Sequence, residues 1–157
     1  MEIPESLREE HEELHRELEL GTKVPGGVGK AAKSVAKILR PHFVREEEYA
    51  LPPLALLSRL AAGEVEPEMR DVLGMTDKLN ADLPQMLREH KDIVAALNNL
   101  TSAAKQSNQL KYVRFAEKLA MHAQNEEEIL YPAAILVGKY LRLRFHESEI
   151  EEKVSRR

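Results

Sequence analysis

Apolar side chains recur three and four residues apart through most of the chain, and turn-forming residues divide that pattern into four long helical segments. The first is predicted from about Pro4 to Leu20 and ends at Gly21, a residue type that closes helix C-termini. The loop GTKVPGGVG comes next. The second segment runs from about Lys30 to Leu51 and stops at Pro52-Pro53, and a shorter helix, LALLSRLAA, ends at Gly63. Pro67 suits the first turn of the third long segment, which continues to about Ala104 with a kink expected at Pro84. KQSN makes a turn, and the fourth segment runs past a bend expected at Tyr131-Pro132 to about Phe145. The closing HESEIEEKVSRR is highly charged and is expected to fray. Residues 1–146 read as one bundle and 147–157 as a tail. Short connections favour antiparallel neighbours, so the predicted fold class is all-α, an antiparallel up-down four-helix bundle.

The chain also repeats itself. EEH at His11 and HFVREEEYALP from His42 are echoed by REH at His90 and HAQNEEEILYP from His122. His11 to His42 is 31 residues and His90 to His122 is 32, so each half is one helical hairpin of a pseudo-two-fold pair. In an antiparallel hairpin, residues equidistant from the turn lie at one height. The midpoint of His11 and His42 falls at Gly26-Gly27, that of His90 and His122 at Gln106, and that of His42 and His90 at Glu66. All three fall in or beside predicted connections, which sets four histidines level on four helices. Core packing alone does not require that.

Facing is the second test. At 100° per residue, His11 shares a stripe with Leu7, Leu14 and Leu18, and His42 and Glu46 share one with Val35, Leu39 and Tyr49. His90 falls with Leu83, Met86, Ile93 and Leu97, and His122 and Glu126 fall with Phe115, Leu119 and Ile129. A lone His on such a face is usually a hydrogen-bonded core residue, and an isolated HxxxE is usually a surface pair. Four level histidines with two inward glutamates are different. Two carboxylates in an apolar core need a compensating charge, and a metal supplies it. Imidazole suits iron, zinc and copper, and carboxylates can bridge two ions. The predicted ligands are His11, His42, Glu46, His90, His122 and Glu126. His15 makes HxxxH with His11 but is rotated from it, and reads either as a further ligand or as a boundary residue. Glu47, Glu48, Glu127 and Glu128 turn away, either solvated or accepting from the ligand imidazoles. Tyr49 reads as core, and His146 as exposed.

Composition narrows the classes. Apolar residues make up 43%, enough for one domain's core in 157 residues. Leu, Ala, Glu and Lys dominate, a helical composition. The net charge of −4 gives no reason to expect nucleic-acid binding. With no cysteine, disulfides and thiolate ligands are excluded. MEIPESLREEH has no apolar signal region, and YALPPLALL is too short to span a bilayer. A cytoplasmic protein without membrane contact is the expectation.

These motifs resemble those of the hemerythrin-like, or HHE cation-binding, family. The resemblance covers about residues 5 to 135. It implies a four-helix bundle with two non-haem iron ions, with Glu46 and Glu126 as bridging carboxylates, and a role in carrying, storing or sensing O2 or in sensing iron. Zinc or manganese fits the same donors. Oxygen-carrying members resemble this pattern but place a second His one turn after the third-helix His, where this chain has Val94. Members that repair iron–sulfur centres carry an added cysteine-bearing segment, which this chain lacks. The leading expectation is a di-iron protein that handles or senses O2 or a related small ligand, rather than a dedicated catalyst. A ferroxidase- or peroxidase-like scavenger and a metal-stapled regulatory bundle remain as alternatives, and a homo-oligomer or a protein partner is left open.

Overall fold

A computed structural model describes residues 1–157. It is all-helical, with no strand. Four long rods form a bundle. Helix α1 spans Glu5–Thr22, α2 Gly27–Arg45, α4 Val72–Gln106, α5 Leu110–Asn125 and α6 Tyr131–Ser155, with a short α3 at Leu57–Ala61. The fourth rod is α5 and α6 joined end to end. The connections fall at or beside the three expected midpoints: residues 23–26, 64–66 and 107–109 are non-helical. Gly26 (φ 78°) and Asn108 (φ 54°) take the left-handed conformation that glycine and asparagine tolerate. Helix α2 begins inside the stretch expected as loop. There Gly29 lies so close to the Val24 carbonyl that a Cβ would come within 1.8 Å of its oxygen.

Two features depart from a regular α-helical reading. The second and fourth rods each contain one π turn, at Glu46–Ala50 and Glu126–Leu130. In each, the amide five residues on donates to the glutamate carbonyl: Leu51 to Glu46 (2.9 Å), and Tyr131 to Glu126. Pro52 and Pro132 come immediately after. Proline cannot donate to the carbonyl four residues back, and its ring crowds it, so the turn ahead of each opens. The second departure is the tail. The stretch expected to fray continues α6 to Ser155, with every residue from His146 onward exposed.

The π turns change which side chains face inward. One extra residue in a turn rotates the residues beyond it by about 100° relative to an α-helix. Ile129, expected on the inward stripe, is 57% exposed, whereas Tyr131, expected only to mark a bend, is fully buried.

The core is layered. One cluster joins Leu14, Leu39, Phe43, Ile93, Phe115 and Leu119, and a second joins Tyr49, Leu51, Leu54, Leu79, Met86 and Tyr131. The buried polar residues lie between them: on α4, Met86 of the second cluster precedes His90, and Ile93 of the first comes after it. A third cluster joins α3, the start of α4 and α6 through Leu60, Val72 and Leu141. No helix is long and apolar enough to cross a membrane.

Candidate metal centre

Six polar residues from the four rods meet in this layer. His11 comes from α1, His42 and Glu46 from the second rod, His90 from α4, and His122 and Glu126 from the fourth rod. None is more than 3% exposed. Their donor atoms form two groups of four, His11/His122/Glu46/Glu126 and His42/His90/Glu46/Glu126, each with all atoms within 4.8 Å of one another. Both glutamates belong to both groups, one oxygen to each. Glu46 turns Oε2 toward His11 Nε2 (3.6 Å) and Oε1 toward His42 Nε2 (3.1 Å). Glu126 turns Oε1 toward His122 Nε2 (2.6 Å) and His11 Nε2 (3.7 Å), and Oε2 toward His90 Nε2 (3.1 Å).

The outward nitrogen of every histidine is held by a further carboxylate. His11 Nδ1–H donates to Glu47 Oε1 (3.0 Å), His90 to Glu127 (2.9 Å), His122 to Glu10 (2.9 Å) and His42 to Glu89 (3.4 Å). A carboxylate at Nδ1 holds a proton there and turns Nε2 into the cluster, the nitrogen that would face a metal. Glu47 and Glu127 were among the expected acceptors. Glu48 and Glu128 are exposed, and Glu128 accepts only from Gln124 (2.8 Å). Glu10 and Glu89 were missed, although the sequence carries a signal for them: each immediately precedes the first histidine of its half. They cross between hairpins, Glu10 to His122 and Glu89 to His42, and Glu89 is itself gripped by Arg45.

This electrostatic arrangement is unbalanced without a cation. Burial and the Glu126 charge push the Glu46 carboxyl above its usual range. Glu126 is held well below that range: burial opposes this, but the imidazoles of His11, His122 and His90 around it outweigh it. Burial pulls the His122 imidazole down, yet Glu126 and Glu46 together carry it up to about 9. His11 is raised for the same reasons. Four inward atoms have no hydrogen-bond partner: His11 Nε2, His122 Nε2, Glu46 Oε2 and Glu126 Oε1. Each such buried group costs about 1–3 kcal/mol. All four belong to the first group, and once the imidazoles lose their second proton all offer lone pairs of the hard or borderline kind that first-row divalent ions take. The donor set therefore fits a metal site.

The sequence model of the hemerythrin HHE cation binding domain matches residues 2–134. The chain belongs to the hemerythrin HHE cation-binding family. The match takes in all six clustered residues and ends near the start of α6. No curated protein and no solved structure matches the chain.

Within this hemerythrin-like bundle, the remaining candidates separate by position. His15 is not brought to the cluster: it joins neither group of donors. Its ring meets the edge of Phe43 (4.9 Å), whose face is stacked on His11 (3.9 Å). Both imidazoles thus pack on the one Phe43 ring, and His15 is only half-buried. Tyr49 is core, and its hydroxyl donates to Asp82 (2.9 Å) away from the cluster. Val94 lines an open depression of about 430 Å³ beside His90, Ala123 and Glu127. Tyr131 was not foreseen as part of the site. Its hydroxyl donates to Glu46 and lies 3.2 Å from His90 Nε2 and 3.4 Å from His42 Nε2.

Proposed function

We propose that the cluster holds two non-haem iron ions and that the chain handles or senses O2 or a related small ligand. His11 and His122 would hold one ion, His42 and His90 the other, and Glu46 and Glu126 would bridge them. The observation that supports this best is the division of each glutamate between two histidine pairs. Consecutive rods run antiparallel in this reading, supported by the level meeting of histidines from all four and by the short turns between α1 and α2 and between α4 and α5. The metal-binding unit is residues 1–146, with 147–157 as a charged extension.

When bound, the irons supply Lewis acidity and a reversible change of oxidation state. The chain supplies the rest. Glu47, Glu89, Glu127 and Glu10 keep the four Nε2 lone pairs pointing inward. The apolar layers above and below exclude water and strengthen every charge interaction within. The depression at Val94 and Ala123 brings solvent up to His90 without opening the layer, a route suited to a small molecule.

The test is elemental analysis of anaerobically purified protein, with its visible spectrum before and after air. Two irons per chain and an air-dependent spectrum are expected. Two irons with steady turnover of peroxide or Fe(II) would move the reading to an oxidant-scavenging enzyme. A protein that retains no first-row metal would refute it.

A further inference from the structure

The two donor groups are not equivalent, and the difference is Tyr131. The halves of the chain align in sequence with an offset of 80 residues at Glu46 and Glu126 and at Pro52 and Pro132. The same offset pairs Tyr131 with Leu51, and both side chains are fully buried behind their π turns. One half therefore presents a phenol oxygen at the position where the other presents only methyl groups.

That oxygen is not in an ordinary hydrogen-bonding place. It lies within 3.4 Å of the Nε2 atoms of both His42 and His90, and it contacts Glu46 Oε1. These are three of the four inward donors of the second group. A phenol has one proton and satisfies one acceptor, here Glu46. His42 and His90 have committed their Nδ1 protons to Glu89 and Glu127. Their Nε2 atoms, 2.9 Å apart, are then two lone pairs facing each other and the phenol oxygen. Four lone-pair atoms converging with one proton among them are better matched to a cation than to one another.

Resting on the di-metal reading above, we propose that Tyr131 Oη is a direct ligand of the ion held by His42 and His90, making one metal position richer in oxygen donors than its neighbour. Tyrosine oxygen is a known protein ligand for ferric iron. Binding forms an oxygen–metal bond and breaks the phenol O–H bond, and the proton leaves to solvent, as it does when other ligands are metallated. No electron is transferred in this step. The position with His11 and His122 has no such oxygen, so the two irons would differ in affinity.

The experiment loads wild-type, Tyr131→Phe and Tyr49→Phe protein with Fe(II) anaerobically, admits air, and reads iron per chain, visible absorption and resonance Raman. Wild type should hold two irons and show a phenolate-to-ferric charge-transfer band with enhanced ring vibrations. Tyr131→Phe, which keeps the ring that packs in the core, should lose the band and bind one of its two irons about 10-fold or more weakly. Tyr49→Phe should keep the band. Two irons with no phenolate band, unchanged by Tyr131→Phe, would overturn the proposal and leave the di-iron reading intact. A wild-type protein without iron would overturn both.

Discussion

Replacing Glu127 by alanine separates a metal site from a merely buried polar cluster. Glu127 Oε1 accepts from His90 Nδ1 at 2.9 Å, and the Glu127 side chain is 40% exposed. As a surface ion pair, such a contact is worth about 0–1 kcal/mol. As the acceptor that orients a metal-binding imidazole it carries more. Without it the His90 proton is free to move to Nε2, which removes the lone pair 3.1 Å from Glu126 Oε2, and the ring is free to turn. Loss of such partners typically costs 10–100-fold in metal affinity, about 1.4–2.7 kcal/mol. The adjacent Glu128 is the control, since it touches only Gln124. Competition of zinc or anaerobic Fe(II) against a chromophoric chelator measures both variants. Glu127→Ala should weaken binding about 10–100-fold, Glu128→Ala should stay within about 2-fold, and Glu127→Gln, which keeps an acceptor oxygen, should fall between them. Equal affinities for Glu127→Ala and Glu128→Ala would refute the orienting role.

The same geometry sets three further outcomes. Glu46→Gln and Glu126→Gln should each weaken both ions rather than one, because each carboxylate serves both groups; elemental analysis that finds one ion fully retained would exclude bridging. The metal-free protein should lose stability as pH rises from about 6.5 to about 9, since His122 is raised in the fold and its contribution is complete below the unfolded value and gone above the folded one. Thermal melts across that range check this, and a flat profile contradicts the charge pairing with Glu126. His15→Ala should leave metal stoichiometry and affinity unchanged, because His15 joins neither group of donors; measurable metal loss by titration would show that the ring turns inward.

Much of the site was legible because it is written in register. Four histidines at equal distances from three turns, and two glutamates one turn beyond, need only helix geometry to be placed, and all six meet. Height also accounts for His15. In the antiparallel arrangement proposed above, a residue of α1 level with Glu46 lies one turn before His11, at Leu7, whereas His15 lies one turn after it, toward the Gly26 loop. The HxxxH spacing left His15 as a ligand or a boundary residue, and its direction along the helix sets it away from the level of Glu46. The outer acceptors were half legible. Glu47 and Glu127 stood out in their EEE runs, while Glu10 and Glu89 require knowing that the hairpins pack so that each reaches the other's histidine. The α6 extension was hidden by its charge, since a solvated helix and a frayed tail share a composition.

Tyr131 was illegible for another reason: the α-helical period fails at the place where it is counted. From Glu126, four α-helical steps carry Leu130 roughly onto the glutamate's face and swing Tyr131 away, whereas the π turn brings Tyr131 in and turns Ile129 out. If the turn holds one surplus residue, deleting the exposed Ile129 restores α geometry and leaves α6 on its present face. Anywhere else in a helix, a single deletion rotates every later residue by about 100°. That would drag Val137, Leu141 and Phe145 off the core. Exposing them costs about 1.5–3 kcal/mol each, together about 4.5–9 kcal/mol, a large share of the 5–15 kcal/mol of a typical domain. The deletion variant should therefore remain helical and melt cooperatively, with its defect confined to metal affinity, because the Glu126 side chain changes its angle to the histidines. Circular dichroism melts decide the matter. A chain that is unfolded at room temperature would mean that the π turn is required by the packing around it and is not a surplus residue.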